Sequence, residues 1–413
     1  AGSLGLAAAA PIRAQEALDL DDRLYGDGRY LPNYLDLKAR AATGDGAARA
    51  MLSQFASFVG DEQSAIGSFE RPPSASATRP DLTSAESRDA LEAIADGARN
   101  TRVVILNEAH NISGHRGFAA RVARSLRPLG YDWFAAETFT PPQGEPAPSI
   151  SLYREGMPFI SGFGYYTIDP VYAETVREAA RLGYRFSDYE WTPAQHSPDD
   201  ATAEVQIATR EEAQADNLIA NVLDSHPQAR VFVYVGYSHA MEKPGRGGTW
   251  FAARLKEKTG IDPLTIEQSG NWPALDPAND APHVAAVLEQ FAPDRPIVVS
   301  SGGATIASAI YAGQMDLSVF HPRREPVSGR PGWLAADPAR HALTVEVPPF
   351  EGAALLQAIR TGEGPAGVPA DQMLLTPGQA RATFFLYPGS YYVRMEREAG
   401  IDPAYGRIKV EAA

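Results

Sequence analysis

The chain has no cysteine, so disulfides, cysteine-based zinc sites and thiol nucleophiles are excluded. Histidines, carboxylates and hydroxyls must carry any chemistry. Basic residues are in the minority, 37 against 51 acidic, giving a formal net charge of −14. That balance offers no field for phosphate backbones or anionic lipid, and no nucleic-acid partner is expected. No apolar run approaches the roughly 20 residues of a membrane span, so no transmembrane segment is expected. Several motifs are missing as well. Ser301-Gly302-Gly303-Ala304 lacks a Walker lysine and a dinucleotide fingerprint, and Gly236-Tyr237-Ser238-His239 lacks the Gly-x-Ser-x-Gly elbow of a serine hydrolase.

What is present is a globular composition, 44% hydrophobic and 9% aromatic over 413 residues, enough for two or three units. Residues 1–15, with four consecutive alanines before Pro11-Ile12-Arg13-Ala14, resemble the end of a signal peptide, so an exported bacterial protein, periplasmic or secreted, is expected. Residues 16–82 read as a helical cap and linker, with Leu35, Leu37, Met51, Leu52, Phe55 and Phe58 at helical spacing. Thr83-Ser84-Ala85-Glu86 has capping-box spacing and predicts a helix through about Ala95.

Over 83–309, short β-branched or aromatic runs alternate with amphipathic stretches. The runs are Val103–Leu106, Trp133–Ala136, Tyr184–Ser187, Val231–Val235, Leu264–Ile266 and Ile297–Ser300, with helices expected near 115–127, 171–182, 201–224, 248–259 and 283–291. This is the pattern of an α/β domain, a mainly parallel sheet of about six strands flanked by helices. From 310 to 413 the helical period fades and period-two runs follow, reading as a β-rich C-terminal domain and, within that class, a sandwich.

Polar residues follow the ends of five of these runs: Glu108 and His110, Glu137, Asp188 and Glu190, His239 and Glu242, Glu267 and Gln268. Carboxyl ends of parallel strands form the ligand crevice of open α/β sheets, so these groups are expected to converge. A carboxylate two residues before a histidine can share a metal with it. It can equally hold the imidazole in one tautomer, so that its free nitrogen takes a proton from water. His115 and Arg116 open the following helix, where the amide dipole suits an anionic substrate group.

Arg210, Gln214 and Asn217 share one helix face, and the guanidinium could clamp a carboxylate or stabilise an oxyanion. The long connection 140–170 carries Phe159, Phe163, Tyr165 and Tyr166 among glycines. A mobile lid lining the substrate site is expected there, the alternative being an aromatic plug against the helical cap.

Taken in order, the Glu108-x-His110 strand end with its His115-Arg116 pair, Ala136-Glu137-Thr138, Gly183-Tyr184-Arg185, Arg210-Glu211 with Gln214-Ala215, and Val235-Gly236-Tyr237-Ser238-His239-Ala240 resemble a superfamily over roughly residues 85–270. It unites ChaN-like haem-binding lipoproteins, erythromycin esterases and the Tiki/TraB metalloproteases. Two departures stand out: Asn107 where many members have glycine, and Arg116 where ChaN-like proteins tend to have a second histidine. The resemblance implies a site of Glu108, His110, Glu137 and His239, with Arg210 beside it. In the esterases that quartet activates water, in the Tiki type it binds a divalent metal ion, and in the ChaN type it borders haem. The resulting expectation is an exported hydrolase acting on an ester or amide in a small-molecule or peptide substrate. Its substrate contacts would come from His115, Arg116, Glu190, Arg210, Phe163, Tyr165 and Tyr166. The alternative is a haem- or iron-binding protein without turnover.

Overall fold

The computed structural model describes residues 24, 27–68, 70–74, 78–141, 149–245 and 247–411; residues 1–15, and the export reading with them, lie outside this set. The chain opens with helices α1 (Leu31–Ala42), α2 (Gly46–Phe58) and α3 (Glu62–Gly67). Asp45 and Asp61 cap α2 and α3 through their carboxylates, whereas no neighbouring side chain caps α1. Its first amides, those of Tyr30 and Leu31, instead donate to the buried carboxylate of Glu396, each at 3.0 Å.

Strand β1 (Ala85–Asp89) precedes helix α4 (Ala90–Ala98), which corrects the helix expected from Thr83. The Thr83 hydroxyl bonds Asp81, the backbone of Ala85–Asp89 is drawn into an antiparallel ladder with Ile297–Ser301, and Asp89 caps α4 through the Leu91 and Glu92 amides. Then follow β2 (Val103–Glu108), α5 (Ser113–Leu126), β3 (Trp133–Ala136), α6 (Pro170–Arg181) and β4 (Arg185–Ser187). Next come α7 (Ala203–Leu218, continued by a π turn), β5 (Val231–Gly236), α8 (Phe251–Thr259), β6 (Leu264–Glu267), α9 (Pro282–Phe291), β7 (Ile297–Ser301), β8 (Ala304–Thr305) and β9 (Leu317–Phe320).

These strands form one nine-stranded mixed sheet in the order β1-β7-β9-β6-β2-β5-β3-β4, with β8 on β7. The six strands from β9 to β4 are parallel, and β7, β1 and β8 add an antiparallel edge. Strands β2 and β5 are buried along their whole length, as continuous apolar runs in a two-sided sheet must be. The break expected at residue 310 falls inside this sheet, because Leu317–Phe320 pairs with both β6 and β7.

The C-terminal region is β-rich, as expected. Strands β10 (His341–Glu346) and β13 (Arg381–Leu386) pair with each other, while β12 (Asp371–Leu375), β11 (Ala354–Arg360), β14 (Gly389–Arg397), β15 (Gly400–Ile401) and β16 (Gly406–Val410) form a five-stranded sheet. Phe384 and Leu386 of the first sheet share a core with Leu356, Val393 and Met395 of the second. Leu355 points into the core of the helical cap, and the Leu374 amide donates to Val59 in the cap. Among the described residues no helix is long and apolar enough to cross a membrane.

The aromatic connection is packed rather than poised. Phe159 and Phe163 are buried against each other and Tyr153, and Tyr165 meets Phe58 of α2 edge-on at 5.8 Å. Gly164 has φ of +151°, and a Cβ there would lie 1.7 Å from the Thr138 carbonyl oxygen, so this glycine closes a contact and is no hinge. The plug alternative describes this segment, and Phe163 is withdrawn as a substrate contact; residues 142–148 lie outside the described set. Gly164→Ala is expected to cost about 2–4 kcal/mol in urea unfolding. A variant as stable as the parent would mean that the connection lifts off Thr138, and would restore the lid.

Candidate functional site

Four strands deliver the site. Glu108 ends β2, Glu137 follows β3, Glu190 lies three residues past β4, and His239 three past β5. The β6 residues stay apart, contrary to expectation. Glu267 is fully buried, and its oxygens accept from the Gly270 amide at 2.6 Å and the Ser318 hydroxyl at 2.7 Å. Gln268 bonds the Asn107 carbonyl and His321, Glu242 pairs with Lys256, and the Asp188 carbonyl accepts from Asn221. Partners elsewhere in the fold account for these residues.

At the end of β2, Glu108 Oε1 lies 2.9 Å from His110 Nδ1, and the Arg116 guanidinium donates to both Glu108 oxygens at 3.0 Å. Arg116 also donates to the His110 carbonyl at 2.8 Å and to Asp169, which in turn accepts from the Ser113 hydroxyl. Burial alone would raise the Glu108 pKa, but Arg116 and His110 outweigh it and hold the carboxyl down at about 2. Arg116 is wholly buried and spent on these partners, so it is corrected from a substrate contact to a clamp.

With Nδ1 tied to Glu108, His110 turns Nε2 toward Gly236. Its ring stacks on Tyr166 at 4.2 Å and meets Tyr237 edge-on at 4.9 Å. Tyr237 adopts φ of +40°, a strained conformation for a residue with a side chain, and its hydroxyl accepts the His110 amide at 3.3 Å. Gly236 lies between the two halves of the site. A Cβ there would fall 2.6 Å from His110 Nε2 and 3.0 Å from Glu137 Oε2, so only glycine lets both approach.

The second half mirrors the first. His239 Nδ1 lies 2.9 Å from Glu211, which also accepts the Phe251 amide at 2.7 Å, and His239 Nε2 lies 3.3 Å from Glu137. Burial would lower the His239 pKa, but Glu137 and Glu211 outweigh it and push it up to about 10, so the ring is an imidazolium at neutral pH. Glu137 further accepts from Arg210 at 2.9 Å and from the Gly236 amide at 2.6 Å. Arg210 also donates through Nε and Nη2 to Glu190, so its guanidinium bridges the two carboxylates.

His115 is also corrected. It is wholly buried beneath the site, its Nδ1 accepting the Ala109 amide at 3.1 Å and its ring packed edge-on to Trp272. Burial drops its pKa to about 3. Its contribution is to brace the Glu108-Ala109-His110 turn.

The implied metal does not suit these side chains. Both oxygens of Glu108 and of Glu137 already accept from N–H donors, and both ring nitrogens of His239 face carboxylates. Among the described residues no three His, Asp or Glu groups are gathered for an ion. Haem fits no better, because His115 is sealed and His110 keeps 11% of its side chain exposed, too little for the face of a macrocycle.

These shifts fix a pH profile for stability. His115 resists a proton that the unfolded chain accepts near 6.5, so stability falls as pH drops from 6.5 toward 3. Glu108 adds a loss between 4.5 and about 2. His239 stabilises fully below 6.5, and its contribution is lost as pH rises through about 10. Thermal unfolding is expected to peak near neutrality, with His239→Gln flattening the arm between neutrality and pH 10. An unchanged alkaline arm in that variant would show that His239 is not held as a cation.

Asp169, Glu211 and Tyr237 escaped sequence reasoning as site members. Asp169 carries no spacing signal, whereas Glu211 stood within the Arg210-Glu211 motif and Tyr237 within Val235-Gly236-Tyr237-Ser238-His239-Ala240.

No sequence-family profile matches the chain, and no curated protein matches it. Among solved structures, the type III effector HopBA1 is similar at 14% identity and a TM-score of 0.32, covering 51% of this chain and 94% of that one. A chain described as bacterial protein toxins matches at 15% identity and 0.29, covering 60% of this chain and 42% of that one. The C-terminal region of Pasteurella multocida toxin, described as having a thiol-protease-like catalytic triad, matches at 11% and 0.28, covering 74% and 46%. At these scores the likeness assigns no activity here, and a chain without cysteine cannot build a thiol triad.

Proposed function

We propose that the chain is a hydrolase of ester or amide bonds with His110 as general base. The observation that carries this reading is the Glu108–His110 pair, locked by Arg116 from behind and presenting Nε2 toward Gly236. The tautomer, assigned from the hydrogen-bond network, places the proton on Nδ1 toward Glu108. Nε2 takes a proton from water as the water oxygen attacks the acyl carbon, and Glu108 stabilises the imidazolium formed. His110 then returns that proton to the departing alkoxide or amine. Across Gly236, His239 spends Nδ1 on Glu211 and Nε2 on Glu137 and so holds the Glu137 carboxylate in place beside the base. His110 thus acts on water, while His239 is fixed between two carboxylates.

The motif order shared with the erythromycin esterase and Tiki superfamily supports a water-activating site, while the spent donors weigh against its metal-bound version. The test is hydrolysis of an ester and amide panel in ¹⁸O-water by wild type and His110→Ala. Label in the acid product, lost with His110, is the expected result. No turnover by wild type on any member would overturn the reading.

A further inference from the structure

The crevice contains a chain of alternating charge: Glu190, Arg210, Glu137, His239 and Glu211, each within 3.3 Å of the next. Formally, three carboxylates enclose two cations. By this count one negative charge is in excess. The excess is not at the inner end, where the Glu211 side chain is 1% exposed, but toward solvent, where Glu190 is 15% exposed.

A second observation is independent of that count. Gln214 is wholly buried and donates Nε2 to Glu190 Oε2 at 3.1 Å, while its carbonyl oxygen Oε1 accepts nothing. Covalent geometry keeps this bare acceptor one amide group away from Glu190. A buried acceptor without a donor is costly, and here it sits beside surplus negative charge. The missing partner is a donor, preferably a charged one.

Resting on the hydrolase reading, we propose that Glu190 determines specificity by docking a substrate ammonium group, with Gln214 Oε1 as its second acceptor. The same charge count disfavours anionic substrates. Alkylammonium esters or amides are therefore the preferred class.

The test has a binding arm that does not depend on turnover. Trp191 adjoins Glu190 and is partly exposed, so its fluorescence reports occupancy when the full chain is titrated with butylammonium, butanol or butyrate. Saturable butylammonium binding, weakened about tenfold or more by Glu190→Gln and by Gln214→Leu, is expected, with butyrate not binding. In the turnover arm, the p-nitrophenyl esters of 4-aminobutyrate, butyrate and succinate are compared. The cationic ester should lead the neutral one by about tenfold in kcat/KM, and Glu190→Gln should remove that lead. Equal binding of the three probes, or tighter butyrate binding, overturns the ammonium site. Turnover without charge preference also overturns it while leaving the hydrolase reading standing. Butylammonium binding without turnover of any ester does the reverse.

Discussion

His110→Ala is expected to lower kcat/KM by about 10²–10⁴-fold, the usual worth of a positioned general base. The effect should fall on kcat, because Nε2 acts on water and its work is done in the transition state. Stability should change little. Glu108 keeps both bonds from Arg116 when the imidazole is gone, so no buried carboxylate is orphaned, and the vacated space opens onto the crevice. Glu108→Gln is a poorer probe, since it removes the charge that Arg116 is buried against and so mixes catalysis with folding. Activity of His110→Ala within about threefold of wild type, with the fold intact by circular dichroism, would remove His110 from the mechanism.

Arg116→Met is expected to cost about 3–5 kcal/mol of stability, the range for removing one partner of a buried ion pair. Its guanidinium lies among the rings of Phe58, Tyr166 and Tyr172, at 5.3 to 5.7 Å, and it is the cation between Glu108 and Asp169. Methionine fills much of the volume and none of the charge. Both carboxylates would then be stranded in an apolar wall and forced to take up protons. The loss should shrink as pH falls, because protonated carboxyls no longer need the cation. Urea midpoints at neutral and acid pH measure this directly, and a cost below about 1 kcal/mol at neutral pH would mean that water reaches the cluster.

The strand runs were legible because a two-sided parallel sheet demands continuous apolar segments, and Val103–Leu106 and Val231–Val235 meet that demand. Helices α6 and α9 coincide with the amphipathic stretches expected near 171–182 and 283–291. What was misread shares one cause: local pattern does not say which partner a side chain will find. His115 and Arg116 look like a solvent-facing helix start until Trp272 and His321 cover the first, and the cap and Tyr166 the second. Glu267 looks like another crevice carboxylate until Ser318, more than 50 residues later, donates to it. Thr83 has capping spacing, yet sheet pairing with β7 claims the backbone first. Asp169 and Tyr237 became visible only when Arg116 and His110 had positions to be measured from.

The carboxylate that serves the first amides of α1 belongs to a residue 365 positions later in the chain. During vectorial synthesis from the amino end, the opening helix therefore emerges without its acceptor and waits for nearly the whole polypeptide to be made. Tyr30 offers the same delay through its hydroxyl, whose acceptor is the Ile168 carbonyl beside the aromatic plug. The cap that covers Arg116 is thus translated well before β14, which supplies the acceptor for its first helix.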